Sequence, residues 1–223
     1  DRTRMIMVNS PCNPTGAVYT REEIEEIVSI AIEHDLWIIS DEIYSRLIWN
    51  GGEHVSPATI EGGKERTIVI SGWSKTWAMT GMRVGFLAGP EQAVRAAVKC
   101  QANSASHIPT FMMEAARVAL DCDDHVERFS DAYRHRRNLI VQGLEDIPGL
   151  RIVNPEGAFY LFIDVTGTGM SDVQFADGAL KAGVQLIPAS LITGGEGFIR
   201  VSYAASEEDI KEGIIRLRSW LLE

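Results

Sequence analysis

Three short apolar runs, Met5–Val8, Leu36–Ile39 and Thr67–Ile70, each give way at the C-terminal end to polar residues: Asn9-Ser10, Ser40-Asp41 and Ser71-Gly72. None shows the strict alternation of a half-exposed strand, so all three are expected to be parallel, interior strands covered on both faces. Between the first two, Thr20 and Glu23 are spaced for a capping box, and Ile24, Ile27, Val28 and Ala31 fall on one helical face. That spacing predicts a strand-helix-strand unit. Open α/β sheets take their ligands beyond the carboxyl ends of the strands, so the three polar ends are expected to face one site.

Downstream, Met82–Ala88 reads as another strand, Glu91–Ala102 as a helix with Val94, Ala97 and Val98 inward, and Pro109–Leu120 as a second helix. A longer helix is expected from Asp123 to about Ile147, where Pro148-Gly149 stops it. The pattern then changes to strands at Leu150–Val153 and Ala158–Val165, a helix at Ser171–Gly183, strands at Val184–Ile187 and Phe198–Tyr203, and a last amphipathic helix. Its inward face is Ile210, Ile214, Leu217 and Leu221. The expected organisation is an α/β large domain over residues 1–122 and a small α/β domain over residues 123–223.

Composition narrows the class. Hydrophobic residues make up 45% of the 223, ample for a core. Acidic residues outnumber basic ones by 31 to 21, and a net charge of -10 opposes attraction to nucleic acid or anionic lipid. Cys12, Cys100 and Cys122 are widely spaced, which suits a reducing compartment better than a disulfide framework. No apolar run is long enough for a membrane helix and no leader opens the sequence, so a soluble, cytoplasmic protein is expected. His34, His54, His107, His125 and His135 lack metal-ligand spacing and are given no role. Tyr133-Arg134-His135-Arg136-Arg137 is read as the solvated face of a helix, and Gly167-Thr168-Gly169 as a loop rather than a dinucleotide fingerprint.

The candidate chemistry lies near the strand ends. Asn13-Pro14-Thr15-Gly16 is a turn whose Asn amide can donate toward a ligand. Asp41 closes a buried strand, where an unpaired carboxylate is costly, and Tyr44 would lie one helical turn on. A helix-capping Asp beside a packed Tyr is the plainer alternative. The stretch Ser71–Gly85 sets one Lys and one Arg, Lys75 and Arg83, in apolar, Gly-punctuated sequence. A desolvated Lys is a usable amine nucleophile and Arg offers a planar fork for phosphate, so the pair suggests a Schiff base beside a phosphate. Taken singly, each is better read as a snorkelling surface cation; the two together in this setting weigh against that reading.

The order Asn-Pro-Thr-Gly, Asp-x-x-Tyr, Ser-Lys and Gly-x-Arg-x-Gly resembles the class I aminotransferases of the pyridoxal-phosphate fold-type I superfamily. The resemblance extends through Gly157-Ala158-Phe159-Tyr160 and Gly197–Tyr203. It implies a pyridoxal-phosphate transferase-like fold whose large domain is incomplete at the N-terminus, the chain being the C-terminal part of such an enzyme. It implies pyridoxal 5'-phosphate carried by Lys75, which then moves the proton at the substrate Cα, and Asp41 facing the pyridine nitrogen. Tyr44 and Asn13 would bond the 3' oxygen, Arg83 with Ser71 or Ser74 would anchor the phosphate, and Arg200 would grip the substrate α-carboxylate, with Asn13 also counted among the substrate-binding residues. The implied reaction passes an amino group from an L-amino acid to a 2-oxo acid in two half-reactions. Relatives work as homodimers, and the loop near Gln101–Pro109 is expected to approach the neighbouring subunit. A lyase or cyclopropane-carboxylate synthase-like elimination on the same scaffold, and a non-catalytic binding module or inactive fragment, are the alternatives.

The sequence departs from the family pattern in three places. Gly72 stands where relatives often carry Ser, Trp73 is bulkier than expected beside the Ser-Lys pair, and Pro188–Thr193 differs from the Gly- and Phe-containing loop before the carboxylate-binding strand.

Overall fold

Strands β1 (Met5–Asn9), β2 (Trp37–Asp41) and β3 (Thr67–Gly72) pair in parallel, and β4 (Gly85–Ala88) closes the sheet antiparallel to β3, giving the order β1-β2-β3-β4. The computed structural model describes residues 2–49 and 51–222. Its contacts divide the chain into two compact units. The first comprises residues up to Pro11 together with Val18–Phe129; the second comprises Cys12–Ala17 and the residues from Ser130 onward.

In the first unit, helix α1 (Arg21–Glu33) begins at the expected capping box: Glu23 N donates to Thr20 Oγ1 at 3.2 Å and Thr20 N donates to Glu23 Oε2 at 2.8 Å. Its apolar stripe, Ile24, Val28 and Ala31, is buried against Val8, Leu36 and Ile38, with Ile27 packed at the margin. Arg66 Nη1 closes the other end by donating to the carbonyls of Ala31 and Leu36 at 3.0 and 2.9 Å. The face carrying Ile38 and Ser40 is therefore the covered one, and strand alternation sends Asp41 to the opposite face.

Within this chain, coverage of both faces, expected for β1 to β3, is incomplete for β1 and at Ile70 of β3, which is 38% exposed. Met5 and Met7 are 49% and 70% exposed, and β1 lies at the sheet edge. An apolar run shows that a strand can be buried, but not which of its faces finds a partner. The same holds for helix α2 (Glu91–Ser104): Val94 and Ala97 are only half-buried, and Val98 is exposed. Helix α3 (Thr110–Ala119) buries Ala116 and Ala119 and leaves Phe111 and Met113 exposed.

Strand β4 is shorter than the run Met82–Ala88, because Thr80–Met82 forms a 3-10 turn and Arg83 takes a left-handed conformation with φ 55°. The chain thus reverses tightly and lays Gly85 against Gly72. A Cβ on Gly72 would come within 2.7 Å of Val84 O and 2.8 Å of Gly85 Cα. The contact is backbone against backbone and cannot be relieved by a side-chain rotation, so a side chain at this position would require the two strands to shift apart.

In the second unit an antiparallel sheet runs β5-β6-β8-β7, from β5 (Arg151–Ile152), β6 (Tyr160–Asp164), β7 (Ile187–Pro188) and β8 (Phe198–Ser202). Helix α4 (Asp123–Leu144) contains the division between the units; α5 (Asp172–Lys181) and α6 (Glu207–Leu222) belong wholly to the second. On α6, Ile210 and Leu217 are buried while Ile214 and Leu221 are half-buried, so the predicted inward face is the inward face. Trp220 of α6 meets Phe175 of α5 edge to face, with centroids 5.0 Å apart.

Gly72→Ala should lower stability by about 1–3 kcal/mol, the usual penalty of overpacking. Chemical denaturation with a mid-point no lower than that of the unsubstituted protein would contradict the close approach.

Candidate active site

Parallel register sets Asn9 beside Asp41 and Asp41 beside Ile70, so β1 and β2 finish level with one another and β3 runs two residues further, to Gly72. Asp41 turns the chain as it leaves β2: its Oδ1 accepts from Ile43 N at 3.2 Å. The plainer role foreseen for Asp41, holding the following turn, is thus filled by one carboxylate oxygen, which leaves the second for other chemistry. Tyr44, in that turn, is 3% exposed, and Lys75 Nζ lies 5.9 Å from the centroid of its ring. Ser71, at the end of β3, donates from Oγ to Glu42 O at 3.2 Å and so fastens β3 to the same turn.

Trp73 explains its own bulk. Its indole Nε1 donates to Ala116 O at 2.8 Å, and its ring meets Phe86 edge-on and Trp77 at a tilt, with centroids 5.7 and 5.9 Å away. It fixes the segment that carries Ser74 and Lys75 to α3 and β4. Ser74 and Lys75 are half-buried, and Thr76 is buried. Arg83 is placed differently from the buried cation expected of it: it is exposed and donates from Nη1 to Thr80 O at 3.1 Å. A left-handed backbone at Arg83 turns it outward at the mouth of the reversal.

One group close to Asp41 escaped the sequence reading. Glu42 is 8% exposed, and its Oε1 accepts from Ser40 Oγ at 3.0 Å and Ser56 Oγ at 2.5 Å. His54, given no role from sequence, brings Nε2 to 3.0 Å from Glu42 Oε2, with the ring turned so that its N–H is not aimed along that line. Burial works to raise the Glu42 carboxyl, but His54, Ser56 and Ser40 together outweigh it and hold the group below the ordinary glutamate range. Ser40 and Glu42 stand two residues apart in extended chain, so both project to the covered side; that spacing was the available signal.

The second unit holds Asn13 and Arg200. Arg200 Nη1 donates to Asn13 Oδ1 at 2.9 Å, and its guanidinium carbon lies 4.7 Å from the centroid of the Tyr160 ring. Asn13 is presented by the turn that Gly16 ends, whose carbonyl accepts from Glu156 N and Gly157 N, both at 2.9 Å. Gly16 has φ +72°, and a Cβ there would fall 2.4 Å from Pro155 Cβ. Two motifs far apart in sequence, Asn13–Gly16 and Gly157–Tyr160, are therefore docked backbone to backbone. Tyr133, read as part of a solvated face, instead stacks on Phe159 with centroids 5.1 Å apart. The divergent segment Pro188–Thr193 is held from α5, where buried Asp172 accepts through Oδ2 from Ser190 N at 2.8 Å.

The donor set of the first unit suits pyridoxal phosphate. Asp41 offers a carboxylate for a ring nitrogen, Lys75 an amine for an aldehyde carbon, and Tyr44 and Ser71 hydroxyls for oxygen acceptors. Arg200, held in the second unit by neutral partners, keeps its charge for an anion.

The model of the family "Aminotransferase class I and II" matches residues 1–217. The aromatic-amino-acid aminotransferase 2 of Thermococcus litoralis is 42% identical over 227 residues, covering 100% of this chain and 58% of its own length. The aspartate aminotransferase of Pyrococcus abyssi is 40% identical with the same coverage. Among solved structures, the aromatic aminotransferase of Pyrococcus horikoshii superposes with a TM-score of 0.95 at 41% identity, covering 99% of this chain and 60% of that one. The Thermus thermophilus aspartate aminotransferase with maleate gives a TM-score of 0.91 at 37% identity, covering 99% and 57%. The chain thus spans about three fifths of the length of these relatives.

A carboxyl depressed in the folded state contributes stability above its unfolded value of about 4.5 and loses that contribution as pH falls through the folded value. Glu42→Gln should therefore flatten the acid limb of the stability profile below about pH 4.5. Denaturation midpoints measured from pH 3 upward check this; parallel acid limbs in the two proteins would refute the assignment.

Proposed function

Since the chain belongs to the aminotransferase class I and II family, we propose that the protein transfers an amino group from an L-amino acid to a 2-oxo acid with pyridoxal phosphate as cofactor. Its fold is that of the pyridoxal-phosphate-dependent aspartate and aromatic aminotransferases, a mixed α/β architecture with a parallel sheet. The activity is a property of the protein to which these residues belong, and the roles below rest on the geometry of each unit and on membership of the family.

When bound, the cofactor supplies an electron sink for the negative charge that develops at the substrate Cα. Lys75 would hold it covalently through the ε-amine and, once released by substrate, take the proton from Cα and return it to the cofactor side. Asp41 would keep the ring nitrogen protonated, since a carboxylate set against that nitrogen favours its charged form. Tyr44 and Asn13 would donate to the ring oxygen. Ser71, Ser74 and Arg83 would bind the phosphate, Arg83 by exchanging its bond to Thr80 O for a charge-assisted one. Arg200 would orient the substrate by its α-carboxylate, each such bond contributing about 1.5–3 kcal/mol. The donor product would leave before the acceptor binds, as two half-reactions require. Residues 1–122 would form the cofactor-binding part and residues 123–223 the small domain.

The observation that carries this reading is Lys75 Nζ above the ring of Tyr44, in the turn that Asp41 begins. Addition of pyridoxal phosphate should give a visible absorption band, and borohydride should fix the cofactor irreversibly to the peptide containing Lys75. Lys75→Ala should lose both signals; a label on any other lysine would overturn the assignment.

The working form in this reading is a cytoplasmic homodimer. Three free cysteines, the absence among the described residues of a helix long and apolar enough to cross a membrane, and exposed apolar side chains on either side of residues 101–109 support it. Val98 and Phe111 are 61% and 68% exposed there. Sedimentation equilibrium should return twice the monomer mass for the whole protein, and Phe111→Asp should weaken the association at least about tenfold. A monomer at micromolar concentration would rule the dimer out.

A further inference from the structure

Neither partner of Arg200 carries a charge: its guanidinium donates a hydrogen bond to the Asn13 amide oxygen at 2.9 Å and lies 4.7 Å from the centroid of the Tyr160 ring. None of the ion pairs among the described residues includes it; Arg134, Arg151, Arg216 and Arg218 of this unit each pair with a carboxylate, whereas Arg136, like Arg200, lies over a tyrosine ring, at 5.6 Å. An arginine clamped by a carboxylate has little charge left for a ligand. One left wholly to solvent would have to give up the rotamer freedom of a long side chain on binding.

An aromatic face avoids both difficulties. It attracts the cation through the ring quadrupole and consumes none of the five N–H donors. The ring of Tyr160 is suited to the task because it cannot move away. It is 7% exposed, and Phe159, on which Tyr133 stacks, packs against it with centroids 4.9 Å apart. The sheet supplies the register: Arg200 on β8 pairs with Phe162 on β6, so Tyr160, two residues before Phe162, is the diagonal neighbour on the same face.

We propose that Tyr160 is a positioning residue for substrate recognition, holding the Arg200 guanidinium preorganised and charge-uncompensated for a carboxylate ligand. The inference rests on the reading of Arg200 as the carboxylate-binding group. Tyr160 acts through Arg200, and its ring rather than its hydroxyl carries the effect. Because a carboxylate is gripped equally before and during reaction, loss of the ring should appear in KM rather than kcat.

The test is a series at position 160 in the cofactor-loaded protein, with maleate as an unreactive carboxylate and affinity measured by calorimetry. Tyr160→Leu should weaken maleate about 3- to 30-fold, the range for a partly desolvated cation-π contact, while Tyr160→Phe restores most of the affinity. Phenylalanines carrying one, two and three ring fluorines preserve shape and drain the quadrupole, so affinity should fall stepwise along them. Equal affinity across the fluorinated series, or a Leu variant that binds as tightly as Phe, overturns the proposal. Arg200→Leu is the control: if it leaves maleate binding unchanged, the carboxylate-binding reading itself fails. Loss of binding in Arg200→Leu with a flat fluorine series removes only the role of Tyr160.

Discussion

The arrangement at the carboxyl end of the first unit's sheet follows from the register of three parallel strands. Because Asn9, Asp41 and Ile70 are neighbours across β1, β2 and β3, the first two strands end together and β3 ends two residues on, so the segments that leave them share the space beyond. Asp41 is aimed by alternation to the face that α1 does not cover. Tyr44 is fixed by the turn that the Asp41 carboxylate accepts into, and Ser71 ties β3 to the same turn through Glu42 O. A slip of one residue in this pairing would send Asp41 into the hydrophobic layer beneath α1.

The surrounding structure serves to keep that end rigid. Gly72 lets β4 approach backbone to backbone, so the segment from Trp73 to Val84 is a loop closed at its base rather than a free excursion. Trp73 pins the loop from within by its bond to Ala116 O. Beneath the turn, the Glu42 carboxylate gathers Ser40, Ser56 and His54 around one buried charge. A buried charge is tolerable only when so partnered, and the arrangement ties β2 to the segment ahead of β3. The two departures at Gly72 and Trp73 are thus features of backbone packing and loop anchoring.

In the second unit the same economy is achieved by neutral groups. Gly16 docks the Asn13 turn on residues 155–157, and Asn13 and Tyr160 then flank Arg200 from a loop and from a strand. Lys75 over Tyr44 and Arg200 over Tyr160 share one arrangement, a cation near the face of a buried ring.

Local sequence was enough for the elements and for the chemical types. The capping box at Thr20, the inward stripe of α1, the inward face of α6 and the polar ends of three strands depend on spacing within a few residues, where helix and strand periodicity act directly. The order of four motifs was enough for the family. Tertiary structure decided which apolar faces are covered within this chain, Ile24, Val28 and Ala31 of α1 meeting Val8, Leu36 and Ile38, because burial depends on what lies opposite and not on the run itself. It decided too that Arg83 turns outward, that Tyr133 packs on Phe159, and that Glu42 meets His54. These are pairings between residues distant in sequence, and no local period encodes them; only the folded backbone, with glycine at Gly16 and Gly72 permitting close approach, brings the partners within reach.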